Sequence, residues 1–330
     1  MKIYTEKSDR KMCNELQEKL EEFRLKRNFS ALEYIKNKTE LLNMYMKKFN
    51  LDTCVVAISG GIDSAVVLAI INEAAKRDNV IKNIIPISLP CYDNTGVTGQ
   101  TSAKNRAVEL CGALNVKPYV LNINSIAKEI QKNVDNTLDM TGKDWAVGQL
   151  VSYSRTPILY YTTSLLNQEG YKPIICGTTN LSEGQYLGYV GKSGDGMVDV
   201  QLISDIYKSE VYKVAEKLNI PKSILNVTPT GDMYDNRIDE EVFGASYDFV
   251  ELYMYFLHLN KSKKDDFKQS LSIEALSEFV FYSKNLEKLH KYNKHKYLAK
   301  SPAIHLDLYD SGLINGWDNY RDTLKEIFYE

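Results

Sequence analysis

The stretch from Cys54 to Ile71 constrains this chain more than any other, because it reads as a strand, a glycine turn and a helix in immediate succession. Cys54-Val55-Val56-Ala57-Ile58 is an apolar run suited to a buried parallel strand. Ser59-Gly60-Gly61-Ile62-Asp63-Ser64 then turns sharply, and Ala65 to Ile71 continues as an apolar helix. Adjacent glycines admit positive φ and close approach of a ligand to the backbone. The first amides of the helix point into the turn, and the helix dipole favours an anion there. Ser59 and Ser64 add hydroxyls, and Asp63 adds a carboxylate suited to a hard cation. Together these make a phosphate cradle with a metal ligand built in. The plain alternative is a glycine-rich βα turn with no ligand. Two commoner phosphate motifs fit worse. No G-x-G-x-x-G follows a strand, and the nearest approach to a Walker loop, Gly191-Lys192-Ser193, has Tyr186 at the required glycine position.

Around this unit, strand-like and helical segments alternate. Strand 54–58 leads to helix 63–77, strand 84–89 to helix 101–114, and strand 118–123 to helix 124–132. A helix over about 147–168 precedes strand 173–177. Such alternation predicts an α/β fold, a doubly wound and mostly parallel sheet with flanking helices. Ligands of these sheets bind at the carboxyl ends of the strands. The turn at 59–64, the loop at 90–99 and the segment after Cys176 all fall at that end. Ahead of the core, Leu16, Leu20 and Phe23 make a narrow apolar stripe on a charged helix, and 31–49 predicts an amphipathic helix with Leu32, Ile35, Leu42, Met46 and Phe49 on one face. Ser204 or Asp205 is the expected cap of a helix beginning near Ile203.

Composition excludes several classes. The net charge of −2 over 330 residues provides no basic field for nucleic acid. No apolar run approaches membrane-spanning length, and the charged N-terminus has no signal-peptide core. Five cysteines without C-x-x-C spacing read as reduced thiols of a cytoplasmic protein.

Five separated pieces then agree on one family. Ser59–Ser64 resembles the pyrophosphate loop of the N-type ATP pyrophosphatases. Gly177–Glu183, Lys192–Lys208, the Pro229-Thr230-Gly231-Asp232 turn with DEEVFGASY at 239–247, and His295-Lys296 extend the likeness to ammonia-dependent NAD synthetases, in family order, over about residues 30–300. On this resemblance 1–29 is a charged helical extension, 30–300 the synthetase domain and 301–330 a tail outside the pattern.

The resemblance implies ATP-dependent amidation of deamido-NAD to NAD through an adenylated carboxylate, with ammonia as nitrogen donor and AMP and pyrophosphate released. ATP is then a co-substrate, Mg²⁺ the cofactor, and a homodimer the expected assembly. Only about 50 residues precede the ATP core, so no nitrilase-type glutaminase is expected there. The resemblance also implies residue roles. Ser59, Gly60, Gly61, Ile62, Asp63 and Ser64 hold pyrophosphate, and Thr178 and Thr230 contact ATP. Asp63 and Glu183 ligate Mg²⁺, and Lys208 serves the phosphates, so Asp63 and Lys208 are the expected catalytic pair. Arg155, Lys192, Asp195, Asp199, His295 and Lys296 are the expected deamido-NAD contacts. One departure stands out. The family's N-x-x-A-R-x-R-like segment reads QLVSYSR at 149–155, keeping Arg155 but placing Tyr153 at the earlier arginine. Two alternatives remain: an adenylating ligase for another acid, and a non-catalytic nucleotide-binding module.

Overall fold

The computed structural model describes residues 11–92, 99–231, 237–294, 303–309, 311 and 313. Six parallel-paired strands form one sheet: β1 (Thr53–Ala57), β2 (Asn83–Ser88), β3 (Tyr119–Val120), β4 (Pro173–Gly177), β5 (Val200–Gln201) and β6 (Ile304–His305). Their order is β3-β2-β1-β4-β5-β6. The chain therefore winds one way from β1 through β2 to β3, then returns to the other side of β1 for β4 and beyond. The switch point, where such sheets open a crevice, lies between β1 and β4.

Period-two alternation sorts the central strands between two apolar layers. Cys54, Val56, Ile174 and Cys176 face one layer, while Val55, Ile87 and Ile175 face the other. The first layer is built with α2 (Ala31–Lys48), α3 (Ile62–Asp78), α4 (Gly99–Ala113), α8 (Lys208–Lys217) and the single turn α9 (Lys222–Leu225). The second is covered by α7 (Arg155–Gln168), which contributes Leu159. Cys54, Cys111 and Cys176 are buried, and the five cysteines are free thiols.

A helical lobe flanks the sheet. It combines α1 (Asn14–Arg27), α10 (Asp239–Phe243), α11 (Tyr247–His258), α12 (Lys261–Gln269) and α13 (Ile273–Asn293) around Phe249, Phe256, Phe267 and Phe279. The predicted stripe of α1 holds: Leu16, Leu20 and Phe23 are buried in this lobe.

Several expectations need correction. In α2, Leu32 and Phe49 are 63% and 47% exposed, while Tyr34, Lys38, Leu41, Leu42, Tyr45 and Met46 are buried. The inner face includes Lys38 because its ammonium meets Asp205 Oδ2 at 2.7 Å, so a charge lies where only apolar residues were expected. The helix predicted at 147–168 is two, α6 (Asp144–Tyr153) and α7, broken at Ser154, whose hydroxyl donates to Leu150 O at 2.7 Å. Helix 124–132 extends to Leu138 as α5 (Asn124–Leu138). The helix after Ile203 begins only at Lys208, with Tyr207 at its cap, because Asp205 is committed to Lys38 and to Tyr34 Oη at 2.8 Å. The segment beyond 301, which has no place in the family pattern, supplies β6 at the sheet edge.

Candidate active site

The turn after β1 takes the form its glycines allow. Gly60 has φ +78°, and a Cβ there would lie 2.1 Å from Ala103 O, so no other residue fits. Ser64 Oγ donates to Gly61 O at 3.1 Å and lies 3.2 Å from Ser59 N, which staples the turn closed. Gly61 caps α3 without a side chain, leaving the first amides of the helix directed at the crevice. Arg106 Nε donates to Gly60 O at 2.9 Å and fixes the turn against α4.

Across the switch point, β4 runs into Thr178, Thr179 and Asn180 and then a π-helical turn, Ser182–Leu187. Asn180 Nδ2 donates to Asp63 Oδ1 at 2.8 Å, joining the two strand ends. Lys208 Nζ lies 2.5 Å from Asp63 Oδ2 and 2.9 Å from Glu183 Oε1, and its side chain is 3% exposed. The ammonium therefore sits between the two carboxylates that resemblance makes metal ligands. Ser182 Oγ accepts from Lys208 N at 3.1 Å and sets the start of α8.

The charges of this group are strongly perturbed. Burial raises the Asp63 carboxyl, with Lys208 opposing and Glu183 adding to the rise. Glu183 is held below the usual carboxylate range because Lys208 and the Tyr247 hydroxyl outweigh its burial. Lys208 is raised above an ordinary lysine because Asp63, Glu183 and Asp239 together outweigh its desolvation. Tyr247 Oη is 2.7 Å from Glu183 Oε1 and 2.8 Å from Asp239 Oδ2. Burial and the charge of Glu183 push Asp239 up to about 6. A hydroxyl has one proton, so one of these contacts is donated by Tyr247, and below that pH the proton of the other comes from Asp239.

Asp63, Glu183, Lys208 and Asp239 line a cavity of about 260 Å³. Of the residues expected from sequence, Ser59, Gly61, Ile62, Asp63, Ser64, Thr178, Glu183, Lys208, Thr230, Arg155 and Asp195 line it. Arg155 Nε lies 3.3 Å from Leu89 O at the start of α7, and its charge opposes the rise that burial gives Asp195. Lys192 is exposed and outside the lining, and Asp199 Oδ2 accepts from Ile175 N at 2.6 Å, bracing β4. His295 and Lys296 lie outside the described residues. Tyr153 is at the end of α6, beside Gly191 of the loop that carries Lys192.

Sequence reasoning assigned no role to Asn180, Asp239, Tyr247, Lys104 or Arg106, although all but Asn180 and Tyr247 line the cavity and those two bond its carboxylates. Asp239 and Tyr247 are the first and last residues of DEEVFGASY, so the signal was present without its geometry. Nothing in the segment around Lys104 and Arg106 announces a ligand.

The sequence profile of NAD synthase matches residues 34–299. The chain belongs to the NAD synthase family. Among curated NAD synthases, it is 29% identical over 273 residues to an NH(3)-dependent NAD(+) synthetase of Thermococcus sibiricus, covering 81% of this chain and 96% of that protein. It is 30% identical to the corresponding Pyrococcus furiosus protein, covering 73% and 84%. Among solved structures, an NMN synthetase from Francisella tularensis superposes with a TM-score of 0.63 at 23% identity, covering 83% of this chain and 99% of that one. An NH3-dependent NAD synthetase from Campylobacter jejuni gives 0.61 at 20%, with the same coverage. These two establish likeness of fold, that of a Rossmann-like NAD synthase sheet.

Proposed function

We propose that this NAD synthase amidates deamido-NAD to NAD, consuming ATP and ammonia and releasing AMP and pyrophosphate. The observation that carries the site assignment is Lys208 held between Asp63 and Glu183 at the switch point, facing the bare amino end of α3.

The chemistry follows from what these groups can hold. A carboxylate acylates poorly, so its oxygen first attacks the α-phosphorus of ATP and pyrophosphate leaves. Ammonia then attacks the acyl carbon, AMP departs, and the nitrogen loses a proton. The first step brings an anion onto a triphosphate, so charge compensation governs the barrier. The amides of 59–64 and the α3 dipole receive the departing pyrophosphate. Lys208 meets the charge that develops on the phosphates. Thr178 and Thr230 contact ATP, and Thr179 Oγ1, buried and without a hydrogen-bond partner among the described residues, offers a further polar contact in the cavity wall. Arg155 and Asp195 face the acid, with Lys192, His295 and Lys296 as its further contacts, while Asp199 braces β4.

Mg²⁺ fits the donor set. No group of three or more His, Cys, Asp or Glu side chains is arranged to hold a metal among the described residues. Two carboxylates on facing strand ends suit an ion that keeps waters and takes phosphate oxygens as its other ligands. Asp63 and Glu183 would hold it, and when bound it supplies charge neutralisation of the triphosphate.

A homodimer is supported by an uncovered apolar face. Ile126, Ile130, Val134 and Leu138 recur every fourth residue along α5 and are exposed, and Tyr161 and Leu165 of α7 are exposed as well. We place the protein in the cytoplasm, on its free thiols and on the lack of any membrane-crossing helix among the described residues.

The deciding assay offers purified protein ATP, Mg²⁺ and ammonium with deamido-NAD, then with other acids, scoring AMP, pyrophosphate and product. NAD formation with ammonium and none with glutamine alone is expected. Robust AMP release with another acid and none with deamido-NAD would overturn the substrate and leave adenylation standing.

A further inference from the structure

Helix α1 ends before the family match begins at residue 34, yet its last turn reaches the segment that carries Lys208. Arg27 Nε is 2.6 Å from Glu210 Oε1 and Nη2 is 3.0 Å from Oε2, a forked pair whose side chains are 4% and 3% exposed. Arg27 Nη2 also donates to Asp205 O at 2.9 Å. Its guanidinium lies about 5 Å from the rings of both Tyr207 and Tyr309, at 5.0 and 5.1 Å to the centroids. Glu210 Oε2 in turn accepts from Tyr207 N at 3.0 Å. One turn earlier, Arg24 forks onto Glu251 at 3.1 and 2.7 Å, and Glu251 Oε2 accepts from Ser209 Oγ at 2.7 Å. Asp205, Tyr207, Ser209 and Glu210 surround Lys208 in sequence, and each is tied directly or through one carboxylate to an arginine of α1.

We propose that Arg27, with Arg24 behind it, is a positioning residue for the reaction: α1 holds 205–210 so that the Lys208 ammonium is delivered between Asp63 and Glu183. This rests on the reading of Lys208 as the lysine that serves the phosphates. A planar fork fixes orientation as well as charge, which a lysine at the same place would not do. A helix outside the family match thus sets the aim of a side chain inside it. Misplacement of a catalytic group by about an ångström costs up to roughly a hundredfold in rate.

Arg27→Lys tests this with the charge kept. Turnover is expected to fall roughly tenfold or more with the KM for ATP within about twofold, since aim rather than ground-state binding is lost. Backbone amides of 205–210 should exchange with solvent faster, with β1 and β4 unchanged. Arg27→Met with Glu210→Gln removes both charges together, so that neither is left buried alone, and should show the same pattern. Ile81→Ala opens a void ahead of β2, in the sheet core that no residue of α1 joins, and at a comparable loss of Tm it should leave turnover unchanged. Turnover within about twofold of wild type in Arg27→Lys and in the double variant, with unchanged exchange at 205–210, overturns the proposal. An equal loss of turnover in Ile81→Ala also overturns it, reducing the arginine to a stabilising contact. If the wild-type protein releases no AMP from deamido-NAD and ATP, the functional reading fails, while the exchange measurement still decides whether Arg27 holds the segment.

Discussion

At the scale of single residues, the centre of this site is a lysine standing between two carboxylates. Each of the three groups alters the other two, and that coupling makes their substitutions distinguishable. Asp63→Ala and Glu183→Ala are each expected to abolish AMP release with the fold retained, because each removes charge compensation worth several kcal/mol in the transition state; circular dichroism and an AMP assay with Mg²⁺ check both. Lys208→Ala should lower the adenylation rate more than it raises the KM for ATP. It should also cost about 3 kcal/mol in the metal-free protein, since two nearly buried carboxylates lose their shared cation. Urea unfolding should show Mg²⁺ restoring more stability to this variant than to the wild type. Asp239 gives a pH signature. Its folded pKa, about 6, lies above the ordinary carboxylate value of 3.8, so the folded state binds the proton more tightly than the unfolded state. Its effect on stability is most favourable at low pH and declines as pH rises through 6. Asp239→Asn removes that decline, so the metal-free variant should gain about 1 kcal/mol relative to wild type between pH 5 and pH 8. Parallel unfolding curves at the two pH values would refute the assignment.

At the scale of elements, strand β1, the turn and α3 were legible because their signals are local: an apolar run, two glycines and an apolar helix. Gly60→Ala is expected to yield little folded protein, because the added Cβ meets the Ala103 carbonyl at 2.1 Å and the residue must hold φ +78°. Soluble yield and thermal unfolding measure this, and a destabilisation below about 2 kcal/mol would contradict it. Two-residue strands such as β3, β5 and β6 carry no periodicity and exist only where a neighbour offers its edge. The inner face of α2 was misread for a related reason. Lys38 is buried because Asp205, 167 residues away, waits for it, and no helical pattern announces such a partner. The start of α8 moved from Ser204 or Asp205 to Lys208 by the same contact.

At the scale of the whole molecule, the sheet order brings the ends of β1 and β4 together, and the helical lobe closes over them with Tyr247 and Asp239. The apolar stripe of α5 and the exposed aromatic face of α7 are left uncovered. Tyr161→Asp with Leu165→Glu should convert the proposed dimer to monomers in sedimentation without unfolding the protein, and an unchanged sedimentation coefficient would remove this face from the interface. The sequence by itself determined the α/β class, the glycine turn, the family resemblance and eleven of the residues that line the cavity, because short motifs dictate backbone conformation and present a fixed set of chemical groups. Only the tertiary structure decided that Lys208 lies between Asp63 and Glu183, that Asp199 braces β4 outside the cavity, and that Tyr247 and Asp239 complete the charge network. It alone tied Arg27 to Glu210, a pair 183 residues apart. Pairing and pKa depend on distances across chain folding and on the water excluded by packing, and neither is written in the local pattern of residues.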